Sequence, residues 1–283
     1  RSMLVFPKVV RWLQAELRKF EPEIVQSMLF HGNLLAALAV DSRQVKVFGG
    51  VRVRQPEKWR WWLERWASRR MVNMVCVSED VASHCEKFER ISPDKLVTIP
   101  NGIDLQYVEQ IIHATSDWNW AKFGLPEDAR VLLFAGRLHP QKGIEELVKR
   151  AEELLSTLPQ HHLVIIGNGP LESRLKELAI DRVHILGWQS NVLAWMARAE
   201  VFLLPAVYEG MPNVLLEAMA ARLPFVAFDV DGVKQLLGES ESAQKQIANQ
   251  GNFEQLIYLT RQMVSDPAMR ANCARTNYVR VEK

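Results

Sequence analysis

Cysteine is scarce in this 283-residue chain, and the three present, Cys76, Cys85 and Cys273, fall outside any CxxC spacing. An odd, scattered set excludes a disulfide framework and fits free, buried thiols in a reducing compartment. Long hydrophobic runs are lacking too. No stretch approaches the 18 or so uncharged apolar residues that a spanning helix needs, and no signal peptide is visible. Net charge is small at +2, and neither a zinc spacing nor an RNA-binding signature accompanies it, so a nucleic-acid partner is not expected. Low-complexity tracts and internal repeats are also absent. With 48% hydrophobic and 24% charged residues the composition is ordinary for a globular protein, and it names no function.

What is present is a long alternation of strand and helix patterns, which predicts parallel sheets. The front section offers a helix over Ser2–Phe20, an apolar run Glu23–Ser27, a helix from Asn33 and a strand Val45–Phe48. A Trp-rich helix Pro56–Arg70, a strand Met74–Val77, a helix from Glu79 and a strand Lys95–Ile99 follow. Residues 105–128 show no clean period, and the domain boundary is placed there, giving units 1–112 and 113–283. Beyond it strands Val131–Ala135, Leu163–Ile166, Val183–Leu186, Val201–Leu204 and Phe225–Phe228 alternate with helices Ile144–Thr157, Leu171–Ile180, Val192–Ala197 and Val214–Ala221. That is a doubly wound sheet, whose ligands sit beyond the carboxyl ends of the strands.

Two loops at such ends carry charge. Gly136 to Gly143 holds Arg137 and Lys142 just before a helix, where free N–H groups and the dipole already favour phosphate. Taken alone, they are as readily two solvated loop cations. The segment Tyr208 to Glu217 holds two carboxylates eight positions apart, Glu209 in a loop and Glu217 one turn into the next helix. A carboxylate there can accept both vicinal hydroxyls of a ribose, and the backbone around Asn213, Val214 and Leu215 can meet phosphate or sugar. The pairing of these carboxylates with Arg137 and Lys142 is what lifts them above surface decoration.

These segments resemble the retaining glycosyltransferases of family four, over nearly the whole chain. The marks are VSEDV at 77–81, IPNGID at 99–104, FAGRLHPQKG at 134–143, VIIGNGP at 164–170 and LPAVYEGMPNVLLEAMA at 204–220. The resemblance implies an α/β GT-B fold of two facing Rossmann-like lobes, the N-terminal lobe incomplete and the C-terminal crossover helix missing. It implies a UDP- or GDP-sugar donor, a glycan or lipid-linked acceptor, no metal cofactor and a cytoplasmic location, peripheral to the membrane's inner face. By similarity Arg137 and Lys142 hold the donor diphosphate, Glu217 the ribose, and Glu209 lies beside the transferred sugar. Gly167 and Gly169 turn the backbone tightly near the base.

In the segment Ile24 to Asn33 the family often carries two histidines. Met28 stands where the first is usual, which leaves His31 as the catalytic candidate, against a plain capping or packing role. Asp231-Gly232 replaces a pair of glycines and Lys234-Gln235 replaces Pro-Glu in the loop facing the donor sugar. A nicotinamide-dependent oxidoreductase is a poor rival, because Gly167-Asn168-Gly169 is followed by Glu172 and not by the third glycine. A non-catalytic sugar-nucleotide-binding fragment or scaffold is the alternative. Finally, Trp59, Trp62, Leu63 and Trp66 form a stripe flanked by cations. The stripe is expected to pack on the sheet, the other reading being a face that rests on a membrane.

Overall fold

The computed structural model describes residues 2–115, 118–178 and 180–282, with the side chains of residues 2–5 excluded. The chain divides into two compact units, Arg1–Asn101 and Gly102–Lys283. Each is built on one parallel sheet, as alternating strands and crossover helices require.

The first sheet contains β1 (Ile24–Gln26), β2 (Lys46–Val51), β3 (Asn73–Cys76) and β4 (Leu96–Thr98), in that spatial order. Its second crossover is the Trp-rich helix Lys58–Ser68, and its third is Glu79–Lys87. Ser78 starts the third helix by accepting a bond from Val81 N at 3.2 Å, and Glu79 and Asp80 in the first turn complement the dipole. The helix expected from Asn33 begins four residues earlier, spanning Leu29–Ala39. Its entry is set by Leu29, whose φ is +65°.

The second sheet comprises β5 (Arg130–Ala135), β6 (His161–Ile166), β7 (Val183–Ile185), β8 (Val201–Leu204), β9 (Phe225–Phe228) and β10 (Ile247–Ala248). Their order is β10-β9-β8-β5-β6-β7. All four residues of β8 and of β9 are buried, as helices on both faces demand. Between β5 and β8 the chain order reverses, which makes their carboxyl ends the switch point where a doubly wound sheet opens a crevice.

The division at Asn101 and Gly102 precedes the sequence-based boundary by about ten residues. The cause is a helix that the sequence reading did not assign, Leu105–His113, which packs on the helices Val192–Met196 and Asn213–Ala220 of the second unit. Asp104 caps it through Tyr107 N at 3.0 Å. Behind it, Trp118, Trp120 and Phe123 close on Trp195, with the Phe123 and Trp195 ring centroids 4.3 Å apart. The expected helix Ile144–Thr157 is two pieces, Ile144–Lys149 and Ala151–Leu155, parted at Arg150 with φ −98° and ψ 9°. The helix expected over Leu171–Ile180 spans Glu172–Glu177, and Ala179 lies outside the described residues. After β10 come Phe253–Ser265 and Pro267–Val281, the second capped by Asp266 with Pro267 in the first turn. All three cysteines are free and buried.

Candidate functional site

At the switch point the segment after β5 forms a tight loop ending in a 3-10 turn, Pro140–Lys142. His139 starts that turn by accepting Gln141 N at its Nδ1, 3.2 Å away. Gly143 ends it with φ +64°, and a Cβ at that position would collide with the carbonyl oxygen of Pro205. Only glycine satisfies both the left-handed backbone and this approach. The loop after β8 is thereby seated directly against the loop after β5. Two further bonds staple them, Val207 N to Gln141 O at 2.8 Å and Gln141 Nε2 to Tyr208 O at 3.0 Å.

This seating brings Lys142 to Glu209. The ammonium bonds Glu209 Oε1, and both side chains are largely buried. Arg137 stands on the same loop, exposed, and its guanidinium has no hydrogen bond or ion pair among the described residues. Glu217 lies in the helix Asn213–Ala220, which follows Pro212 with no side-chain cap on its first turn. The Glu217 carboxylate is half-buried and unpartnered among the described residues, and burial pushes its pKa up. Here, then, are a free cation, a cation held by a carboxylate, and a desolvated carboxylate awaiting donors.

The loop after β6 completes the rim. Gly167 and Gly169 take φ +137° and +157°, and a Cβ at Gly167 would collide with the Gly136 carbonyl oxygen. Leu138 N donates to Asn168 O at 2.8 Å, so the β5 and β6 loops run together. Gly167 N in turn donates to Gly187 O at 2.8 Å, which carries Trp188, 68% exposed, to the same rim. Sequence reading passed over Gln141 and Trp188. The signal for Trp188 was a glycine-aromatic pair just past a strand's end, and Gln141 gave none, since its role is a contact made 67 positions away.

The pattern named Glycosyl transferases group 1 matches residues 117–280, more than half of the chain. The chain belongs to the group 1 glycosyltransferases. A second pattern, Glycosyltransferase Family 4, matches residues 1–107. Among the family's curated members, the chain is 30% identical over 179 residues to the UDP-Gal:alpha-D-GlcNAc-diphosphoundecaprenol alpha-1,3-galactosyltransferase of Escherichia coli, covering 60% of this chain and 46% of the relative. It is 34% identical over 159 residues to the putative teichuronic acid biosynthesis glycosyltransferase TuaC of Bacillus subtilis, covering 55% and 39%. The chain spans about half the length of the curated relatives it matches. Among solved structures, Anabaena HepE in complex with UDP superposes with a TM-score of 0.80 at 17% identity, over 98% of this chain and 77% of that one. Sucrose-phosphate synthase from Thermosynechococcus elongatus does so with a TM-score of 0.80 at 20% identity, over 98% and 74%. The fold is therefore GT-B.

Seven of the family's expected positions, Arg137, Lys142, Gly167, Gly169, Asn213, Glu209 and Glu217, stand on loops or helix starts at the carboxyl end of the second sheet, with Val214 and Leu215 in the same first turn. His31 belongs to the first unit. It is exposed, two residues into the helix Leu29–Ala39, and its ring meets Phe30 edge-on at 5.1 Å. Among the described residues no cluster of three or more His, Cys, Asp or Glu is placed to ligate a metal.

Proposed function

We propose that the chain moves a hexose-type sugar, with retention, from a UDP- or GDP-sugar to a glycan or lipid-linked acceptor. The observation that carries this reading is the seating of Lys142 on Glu209 beside the free Arg137 at the switch point. A donor diphosphate would take both cations in charge-assisted bonds, drawing Lys142 from its single carboxylate toward a doubly charged group. The unpartnered Glu217 would accept the ribose hydroxyls, which return hydrogen bonds to a carboxylate that burial has deprived of them.

In the transfer the bond between the anomeric carbon and the diphosphate oxygen breaks, and its electron pair leaves with the nucleotide. The acceptor oxygen attacks from the same face and its proton passes to the departing diphosphate. Positive charge develops on the sugar, where Glu209 would stabilise it. Negative charge grows on the leaving group, where Arg137, Lys142 and the helix start at Asn213 are preorganised to meet it. Leaving-group stabilisation by these groups makes the reaction metal-independent. His31 is the candidate in the first unit for contact with the sugar.

The names of relatives favour the finer terms. The E. coli enzyme's name specifies a UDP-sugar and a diphosphoundecaprenol-linked acceptor, and HepE was solved with UDP-glucose. A lipid-linked acceptor would put this chain at the cytoplasmic face of a membrane. The test is calorimetry with UDP and GDP together with release of nucleotide from UDP-glucose and UDP-galactose. A variant carrying Arg137→Ala and Lys142→Ala that folds and still binds the nucleotide as tightly as the parent would undo the reading. Tight binding by the parent with no turnover on any donor and acceptor would favour the non-catalytic alternative.

A further inference from the structure

The first 70 residues, the front part of the first unit, differ in charge from the rest of the chain. Residues 1–70 hold fourteen Lys and Arg against six Asp and Glu, whereas residues 71–283 hold twenty-one against twenty-seven. The near-zero total conceals a basic segment, and the same 70 residues contain five of the nine tryptophans.

The structure shows where those tryptophans point. The expected packing of the stripe on the sheet is not what occurs. In the helix Lys58–Ser68 the buried residues are Glu64, Ala67 and Ser68, and Trp59 and Trp62 are 57% and 67% exposed. The reason is spacing: Trp59 and Trp62 are three apart on one side of the helix, whereas Glu64 must face inward to meet Asn33. Trp61 is tethered by its Nε1 bond to Gln55 O at 2.7 Å, and Trp66 is covered by the Arg70 guanidinium, 4.1 Å from the ring centroid. By contrast the indole N–H groups of Trp59 and Trp62 have no partner among the described residues. The neighbouring helix layer adds more. Helix Ser2–Phe20, joined to Lys58–Ser68 through contacts of both with Leu29–Ala39, presents Trp12 at 62% exposure. Exposed cations Arg11, Arg18, Lys19, Lys58, Arg69 and Arg70 belong to these two helices or their ends.

Exposed tryptophans with free indole N–H groups, rimmed by Lys and Arg on an amphipathic helix, suit the boundary of a bilayer. There the ring meets acyl chain, the N–H meets headgroup and the cations meet anionic lipid. We propose that the helix Lys58–Ser68 rests in the surface of an anionic membrane through Trp59 and Trp62, with the helix Ser2–Phe20 contributing charge. This docking surface belongs to the first unit alone and does not depend on the donor site in the second.

The test is sedimentation with vesicles of phosphatidylcholine alone and of three parts phosphatidylcholine to one of phosphatidylglycerol. The protein should pellet with the anionic vesicles, release as salt rises, and shift its indole emission to the blue on binding. Exchanging Trp59→Ser with Trp62→Ser should weaken the partition about tenfold or more, with nucleotide binding by the second unit unchanged. Lys58→Glu with Arg69→Glu, which leaves the tryptophans in place, should do the same at low salt. Failure to pellet with the anionic vesicles overturns the proposal, as does equal pelleting of the tryptophan variant. Binding to a polyanion such as polyuridylate in place of the vesicles would assign the face to another partner and overturn it too.

Discussion

Behind the tryptophans, the first unit buries ionisable groups that its chemistry does not use. Glu64 donates nothing and accepts only from Asn33, leaving Oε2 unpartnered, and both carboxylate oxygens of Glu89 are buried without a hydrogen bond. Burial, opposed by the Asn33 bond, pushes Glu64 from an ordinary 4.5 to about 7. Burial and the Glu64 charge push Glu89 to about 8. The Cys85 thiol beside them is driven up as well, first by its bond to Cys76 and then by burial. His84, 3.8 Å from Glu89, is pushed down by burial and by the Arg54 charge. Both carboxyls are therefore protonated in the fold over a range in which the unfolded chain has lost those protons. Their contribution is present below the unfolded value and is lost as pH rises through about 7 to 8. His84 acts oppositely, costing stability as pH falls below the ordinary imidazole range. The two carboxyls outweigh it, so together these groups cost the first unit stability as pH rises from about 4.5 to about 8.

Raising Glu89 from 4.5 to about 8 corresponds to about 5 kcal/mol of differential stability, and raising Glu64 to about 7 to about 3 kcal/mol, as upper bounds that do not add because the Glu64 charge is part of what raises Glu89. Either is a large part of a domain's total stability. The perturbation is Glu89→Gln, which keeps the shape and removes the titration. Urea unfolding followed at several pH values from 5.5 to 9 should show the parent losing several kcal/mol toward pH 9. The variant should lose roughly half of that or less. A parent whose stability is flat between pH 6 and 9, or a variant with the parent's slope, would refute the reasoning.

Glu217→Ala should weaken UDP or GDP binding by about 1.5 to 3 kcal/mol in calorimetry, and unchanged affinity would remove that carboxylate from the site. With Glu217 intact, nucleotide affinity should rise with pH through its elevated pKa, because ribose hydroxyls favour the ionised form and binding releases a proton. Arg137→Ala and Lys142→Ala should each cost about 1.5 to 3 kcal/mol toward a nucleotide diphosphate, less than additively, and little toward a nucleoside without phosphates. Gly143→Ala should lower the melting temperature and the nucleotide affinity together, since a methyl there forces the β5 and β8 loops apart. Turnover should survive EDTA, and complete loss restored by magnesium or manganese would contradict the leaving-group assignment.

How much of this was legible beforehand depends on the range over which each feature is decided. Five strands of the second sheet could be read within one or two residues, and β5, β8 and β9 most readily, each a short apolar run buried on both faces, whereas the two-residue β10 was not read. The charged loops were equally legible, since a fold of this class opens its site at strand carboxyl ends and the motifs fall there. Helix Leu105–His113 was missed although Leu105, Val108, Ile111 and Ile112 recur at helical spacing behind the cap at Asp104, because the reading placed a boundary across it. The break at Arg150 was likewise invisible to a period that runs through it.

Composition, period and motif by themselves determined that this is an α/β chain, and they picked out the charged loops that the fold sets at the carboxyl ends of its second sheet. Tertiary structure alone decided that Lys142 is held by Glu209, that Gly143 must be glycine because of Pro205, and that Trp59 and Trp62 face solvent while Glu64 and Glu89 are buried. The physical reason is the same in each case. A helical period specifies which residues share a side, but which side is buried depends on what packs against it, here Asn33 from a different helix and a carbonyl from a different strand end.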